Sequence, residues 1–167
     1  MLKTVFHSEN IDFVEVSEEL IPDYLTMVND AEGVQRFIGP AHEPYTAEME
    51  ADWVRKKHAE NAVVFSMIEQ RTGDFIGNIE LMDVTDAKAE LGIAITAAKQ
   101  DKGYGTESIT RLLEYGFTDL GLRRITLRAY PFNTRAIHVY EKCGFREYAR
   151  TEEHVCMEVT RESKENV

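Results

Sequence analysis

The chain has 167 residues, 43% of them hydrophobic and only four of them proline. That is enough to bury one core without disulfides or metals as staples, and it leaves little room for long disordered stretches. A formal net charge of −11 repels polyanions, so nucleic acid and anionic membrane surfaces are not expected partners, whereas a cation would be attracted.

In chain order, Ile11, Phe13, Val14 and Val16 predict a first strand, and a helix follows through Tyr24 and Met27. The Gly33 to Thr46 stretch, with Gly39, Pro40 and Pro44, reads as a loop, after which Thr46 caps a helix running to about Glu60. Val63 to Gln70 and Phe75 to Met82 flank Arg71-Thr72-Gly73-Asp74 as a hairpin, and Ala89 to Thr96 completes a meander. From Gly105 to Leu120, apolar residues recur at helical spacing. Ile125 to Tyr130 reads as a strand, Thr134 to Lys142 as a helix stopped by Gly144, and Phe145 to Thr160 as two last strands. The expected organisation is one domain over 1–167 with a frayed tail at 161–167, its strands and helices combining into a mixed α/β sheet with helices on its faces. No apolar run has the length of a membrane span and no leader is evident, so the expected address is cytoplasmic. Cys143, Cys156 and the five scattered histidines lack metal-ligand spacing, so no metal site is expected.

Two segments carry chemistry. Gln100-Asp101-Lys102-Gly103-Tyr104-Gly105-Thr106 joins a predicted strand to a predicted helix. Its glycines let backbone N–H groups turn toward an anion, the helix start adds a positive dipole end, and Lys102 adds charge at the rim. Taken alone, the loop is also an ordinary strand-to-helix turn. Only two of the three dinucleotide-fingerprint glycines can be matched, and the Gly-Lys-Ser/Thr nucleotide loop is absent. The second segment, Asn133 to Phe145, opens on an N-cap residue and places Asn133 and Tyr140 seven residues apart, on one helix face about 10 Å from each other, with small Ala136 between them.

Together, Gln-x-x-Gly-x-Gly after one strand and Asn-x-x-Ala-x-x-x-Tyr-x-x-x-Gly-Phe after the next resemble the GNAT superfamily of N-acetyltransferases. Ala89-Glu90-Leu91-Gly92 and Gly103-Tyr104-Gly105-Thr106-Glu107 look most like the ribosomal-protein N-terminal and polyamine (spermidine) branches, although Ala98-Lys99 stands where such proteins often carry Pro-Glu. The resemblance implies a single-domain α/β (α+β) fold, with a mostly antiparallel sheet that splays at a central parallel strand pair. It implies acetyl-CoA as cofactor, with CoA as product. Cofactor contacts fall to Ile93, Ala94 and Ile95, to Gln100, Asp101, Lys102, Gly103, Tyr104, Gly105 and Thr106, and to Asn133, Ala136 and Tyr140. Tyr140 is implied as general acid. Period-two geometry sets Glu90, Gly92 and Ala94 on one strand face, which makes Glu90 the first candidate base and Glu80 the reserve. The acceptor is a small-molecule amine or a protein N-terminus, and homodimers are common in the family. A silent acyl-CoA-binding module remains the alternative function.

Overall fold

The computed structural model describes residues 1–165. Eight strands form one sheet in the order β1-β2-β3-β4-β5-β6-β8-β7: β1 Thr4–His7, β2 Ile11–Glu15, β3 Val63–Glu69, β4 Phe75–Met82, β5 Lys88–Ile95, β6 Arg124–Ala129, β7 Arg146–Arg150 and β8 Val155–Thr160. The helices are α1 Ile21–Val28, α2 Arg36–Ile38, α3 Ala47–Ala59, α4 Tyr104–Glu114, α5 Thr134–Lys142 and α6 Arg161–Glu165. The expected mixed sheet is therefore present. β5 and β6 run parallel, from Lys88↔Arg124 to Glu90↔Thr126, while β1–β2, β2–β3, β6–β8 and β7–β8 are antiparallel. The chain forms two compact bodies: Met1–Glu80 with Ile93–Tyr104, and Leu81–Gly92 with the residues from Gly105 onward.

In the first body, β2 and β3 present buried Val14, Val64 and Ile68 to Tyr24 and Met27 of α1 and Val54 of α3. Pro22 lies in the first turn of α1, where its missing N–H costs nothing. Thr46 caps α3 by accepting a hydrogen bond from the Met49 N–H at 3.2 Å, as its sequence position predicts. The segment read as a loop from Gly33 onward is in part helical. A wide turn at Ala31–Gln35 leads into α2, because the Asp30 carboxylate accepts from the Gly33 N–H at 2.9 Å and the Gln35 amide donates to the Gly39 carbonyl at 3.0 Å.

Gly77 of β4 is the most tightly enclosed of this body's glycines. A Cβ there would stand 2.0 Å from the Ala94 carbonyl oxygen and 2.9 Å from the Ile95 Cα. Both are backbone atoms that cannot rotate away. Gly77→Ala is expected to cost about 2–3 kcal/mol through forced backbone displacement, a fall of roughly 4–12 °C in Tm for a domain of this size. A melting curve within 2 °C of the wild type would show that β4 and β5 part more easily than this packing implies.

In the second body, alternation is regular. Ile125, Leu127 and Ala129 of β6 and Val155, Met157 and Val159 of β8 are buried, paired in register across the two strands. Ile109, Leu112 and Leu113 make the buried stripe of α4, which widens at Tyr115–Asp119 around buried Gly116 and Phe117. Gly144, with φ +100°, ends α5, and the Phe145 N–H returns to the Tyr140 carbonyl at 3.0 Å. Where the sequence suggested a frayed tail, Arg161–Glu165 is helical. Ser163 and Thr160 exchange hydrogen bonds at its start, and Lys164 donates to the Cys143 carbonyl at 3.0 Å. The remainder of that tail, 166 and 167, lies outside the described residues. Among the described residues no helix is long and apolar enough to cross a membrane, and no group of three His, Cys, Asp or Glu could hold a metal.

Candidate active site

The first body carries the end of β5 and most of the loop after it. Burial alternates as expected through Ala89 and Leu91, then stops: Gly92, Ile93, Ala94 and Ile95 are all half-buried, so neither face of the strand end is sealed. The Gln100 amide donates to the Ile95 carbonyl and to the Gly33 carbonyl, each at 2.9 Å. Its side chain thus ties the loop to β5 and to the turn before α2. Asp101, Lys102 and Gly103 are exposed, and Asp101 (φ +60°) and Gly103 (φ +87°) both take the left-handed conformation. A Cβ on Gly103 would meet nothing within 4 Å. Glycine is therefore favoured there by backbone conformation rather than by crowding.

Beneath the loop lies a cluster that the sequence reading missed. Glu69, the last residue of β3, is 4% exposed. Its Oε1 accepts from the Tyr104 hydroxyl, and its Oε2 accepts from the Thr72 hydroxyl and from Lys99 Nζ at 3.4 Å. Lys99 also reaches Asp74 at 2.9 Å. The Thr72 hydrogen bond, then those of Tyr104 and Lys99, hold the Glu69 carboxyl down at about 2 against the opposing effect of burial. Its acceptance raises the Tyr104 phenol in turn, and Asp74 raises Lys99. The one signal in the sequence was a glutamate closing an otherwise apolar run, Val63 to Ile68, with a single serine.

The second body carries the remaining residues. Glu90 is half-buried and ion-paired with Arg128 of β6 at 3.4 Å, two residues beyond its register partner Thr126. Asn133 occupies the N-cap position of α5, but its side chain makes no cap hydrogen bond, contrary to its reading as a capping side chain. Ala136 and Tyr140 are half-buried on the same helix. The Tyr140 ring meets Phe145 edge-on at 6.2 Å. Its hydroxyl has no hydrogen-bond partner among the described residues, and burial, with a smaller contribution from Cys143, pushes it up to about 12. Cys143 is 1% exposed, its thiol raised by burial, and its Sγ lies 3.8 Å from the Thr106 carbonyl and 3.9 Å from the Thr110 hydroxyl. It stitches α5 to the first turns of α4, which is a packing role.

The model of the acetyltransferase (GNAT) domain family matches residues 11–146, and the chain belongs to that family. It is 36% identical over 106 residues to a spermidine N(1)-acetyltransferase of Vibrio cholerae, a match covering 62% of this chain and 61% of that protein. The chain spans about three fifths of the length of the curated relatives it matches. The polyamine branch suggested by the sequence is thus represented among its relatives. Two solved structures share the fold. An acetyltransferase (GNAT family) from Bacillus anthracis superposes with TM-score 0.81 at 21% identity, covering 97% of this chain and 99% of that one. A spermidine N-acetyltransferase from V. cholerae, in complex with CoA and spermine, superposes with TM-score 0.78 at 24% identity over 94% and 99%.

Proposed function

We propose that this chain is an acetyl-CoA-dependent N-acetyltransferase that moves an acetyl group to a primary amine of a polyamine-like cation and releases CoA. The observation that carries the reading is Tyr140: a half-buried phenol, held protonated, whose hydroxyl has no partner among the described residues. Among the described residues no fully buried side-chain polar atom lacks a partner, so the Tyr140 hydroxyl keeps access to solvent and is free to meet an incoming ligand. The amine class is supported by the name of the V. cholerae relative and by the net charge of −11.

The residues fit the cofactor. Left-handed Asp101 and Gly103 and open space over Gly103 suit the approach of a diphosphate. Backbone N–H groups of Lys102, Gly103, Tyr104, Gly105 and Thr106 would bind it. The family resemblance assigns the pantetheine arm to main-chain groups of Ile93, Ala94 and Ile95 in the first body and, in the second, to Asn133, whose side chain is not spent on a cap, and the small Ala136. When bound, the thioester supplies an activated acetyl group. A protonated amine, with pKa near ~10, cannot attack, so Glu90 takes its proton, which requires the pair with Arg128 to loosen. Tyr140 would donate a proton to the departing sulfur and regain one from the nitrogen, which sheds its second proton as the amide forms. Against a thiol of ~8.5, a phenol at about 12 faces an uphill transfer of roughly 5 kcal/mol. The burial that raises the phenol also raises a thiol in the same surroundings, as at Cys143, and this narrows the gap.

The test is a panel of amines with acetyl-CoA, following free thiol. Amine-dependent thiol release, fastest with spermidine-like cations, is expected. CoA binding without thiol release from any amine would replace the enzyme reading with that of a silent binding module.

A further inference from the structure

We propose that Glu69 is a positioning residue for the cofactor loop, a clamp that holds its two ends together and so sets CoA affinity without touching the reacting atoms. The inference rests on reading Gln100 to Thr106 as the phosphate loop.

Lys99 and Tyr104 bracket Gln100 to Gly103, and the two bracketing side chains converge on one carboxylate. Tyr104 takes Oε1; Lys99, with Thr72, takes Oε2. Thr72 belongs to the β3–β4 turn, where Glu69 also accepts the Gly73 N–H on its carbonyl at 2.8 Å. The loop ends are thereby fastened to a hairpin that is itself closed. Asp74 takes the other side of the Lys99 ammonium at 2.9 Å, so the lysine is held between two carboxylates. The Glu69 side chain is only 6% exposed. A charge this far from water persists when its lone pairs are occupied, and here each oxygen has a protein donor. That leaves Glu69 no role in proton transfer and a definite one in geometry. Tyr104 is also the first residue of α4, so the clamp fixes where the helix's first N–H groups begin.

In Glu69→Gln the charge and one acceptor are lost, and an amide group faces at least one donor. CoA is expected to bind about tenfold more weakly by calorimetry, the scale of one hydrogen bond to a charged group. S-acetylpantetheine, which has no phosphates for the loop to hold, should keep its KM within about twofold, because a change confined to one part of a ligand is felt only through that part. Tyr104→Phe removes only the Oε1 link and should weaken CoA about threefold. Hydrogen exchange at the amides of Asp101 to Tyr104 should accelerate about tenfold in Glu69→Gln even without ligand.

Equal losses toward CoA and S-acetylpantetheine, or unchanged CoA affinity in either folded variant, would overturn the proposal. If Glu69→Gln does not fold, Tyr104→Phe decides. If the wild type itself binds no CoA, the phosphate-loop reading fails; the clamp is then judged on exchange alone, and unaltered loop exchange rejects it.

Discussion

Tyr140→Phe is expected to lower kcat about a hundredfold, the lower range for loss of a general acid, while CoA affinity stays within about twofold. The hydroxyl has no partner among the described residues, so its removal leaves no buried donor or acceptor orphaned. The edge contact with Phe145 survives in the phenylalanine. Thermal stability should therefore be unchanged, and the rate loss can be assigned to chemistry. The pH dependence sharpens the test. With the phenol pushed up to about 12, its proton is retained across the accessible range, and the ratio of wild-type to variant kcat should stay flat to about pH 10. A ratio that collapses as pH approaches 10 would mean the phenol ionises at its ordinary value. A kcat within twofold of wild type would remove Tyr140 from the mechanism.

Gly103→Glu should raise the Kd for CoA about a thousandfold. Two effects combine. The first is conformational: at φ +87° a side chain is strained by about 1–2 kcal/mol even though a Cβ there has open space. The second is electrostatic: a carboxylate some 6 Å from a phosphate charge repels it by roughly 3 kcal/mol at an effective dielectric of 20. Gly103→Ala incurs only the first and should weaken CoA about tenfold. The difference between the two variants should shrink in high salt, since the charge is exposed. Calorimetry showing near-normal affinity in Gly103→Glu would mean the phosphates sit elsewhere.

The elements that position the candidate residues were legible where pattern and punctuation agree. The β3–β4 hairpin announced itself through two apolar runs around Gly73, α3 through Thr46, and α5 through its stop at Gly144. β1 was not legible, because Thr4–His7 is an edge strand with no buried residue, and alternation is a signal written by burial. The helical turns at Ala31–Ile38 were hidden by Gly33 and held by the side chains of Asp30 and Gln35, not by propensity. Asn133 shows the opposite error: a residue type suited to capping stands at the cap position and does not cap. Glu69, Arg128 and the partners of Gln100 lie 30 or more residues from the groups they engage, except for the Glu69 bond to Thr72 and the Gln100 bond to Ile95. Such tertiary pairings leave no trace in local spacing.

Glutamine and glutamate share a shape but not a polarity, and position 100 is where that distinction bites. The Gln100 nitrogen has two hydrogens and two carbonyls before it, Gly33 and Ile95. A glutamate would fit the same volume and set oxygen against oxygen twice over. What the fold requires at this junction is therefore a direction of dipole, which no measure of size or surface pattern would register.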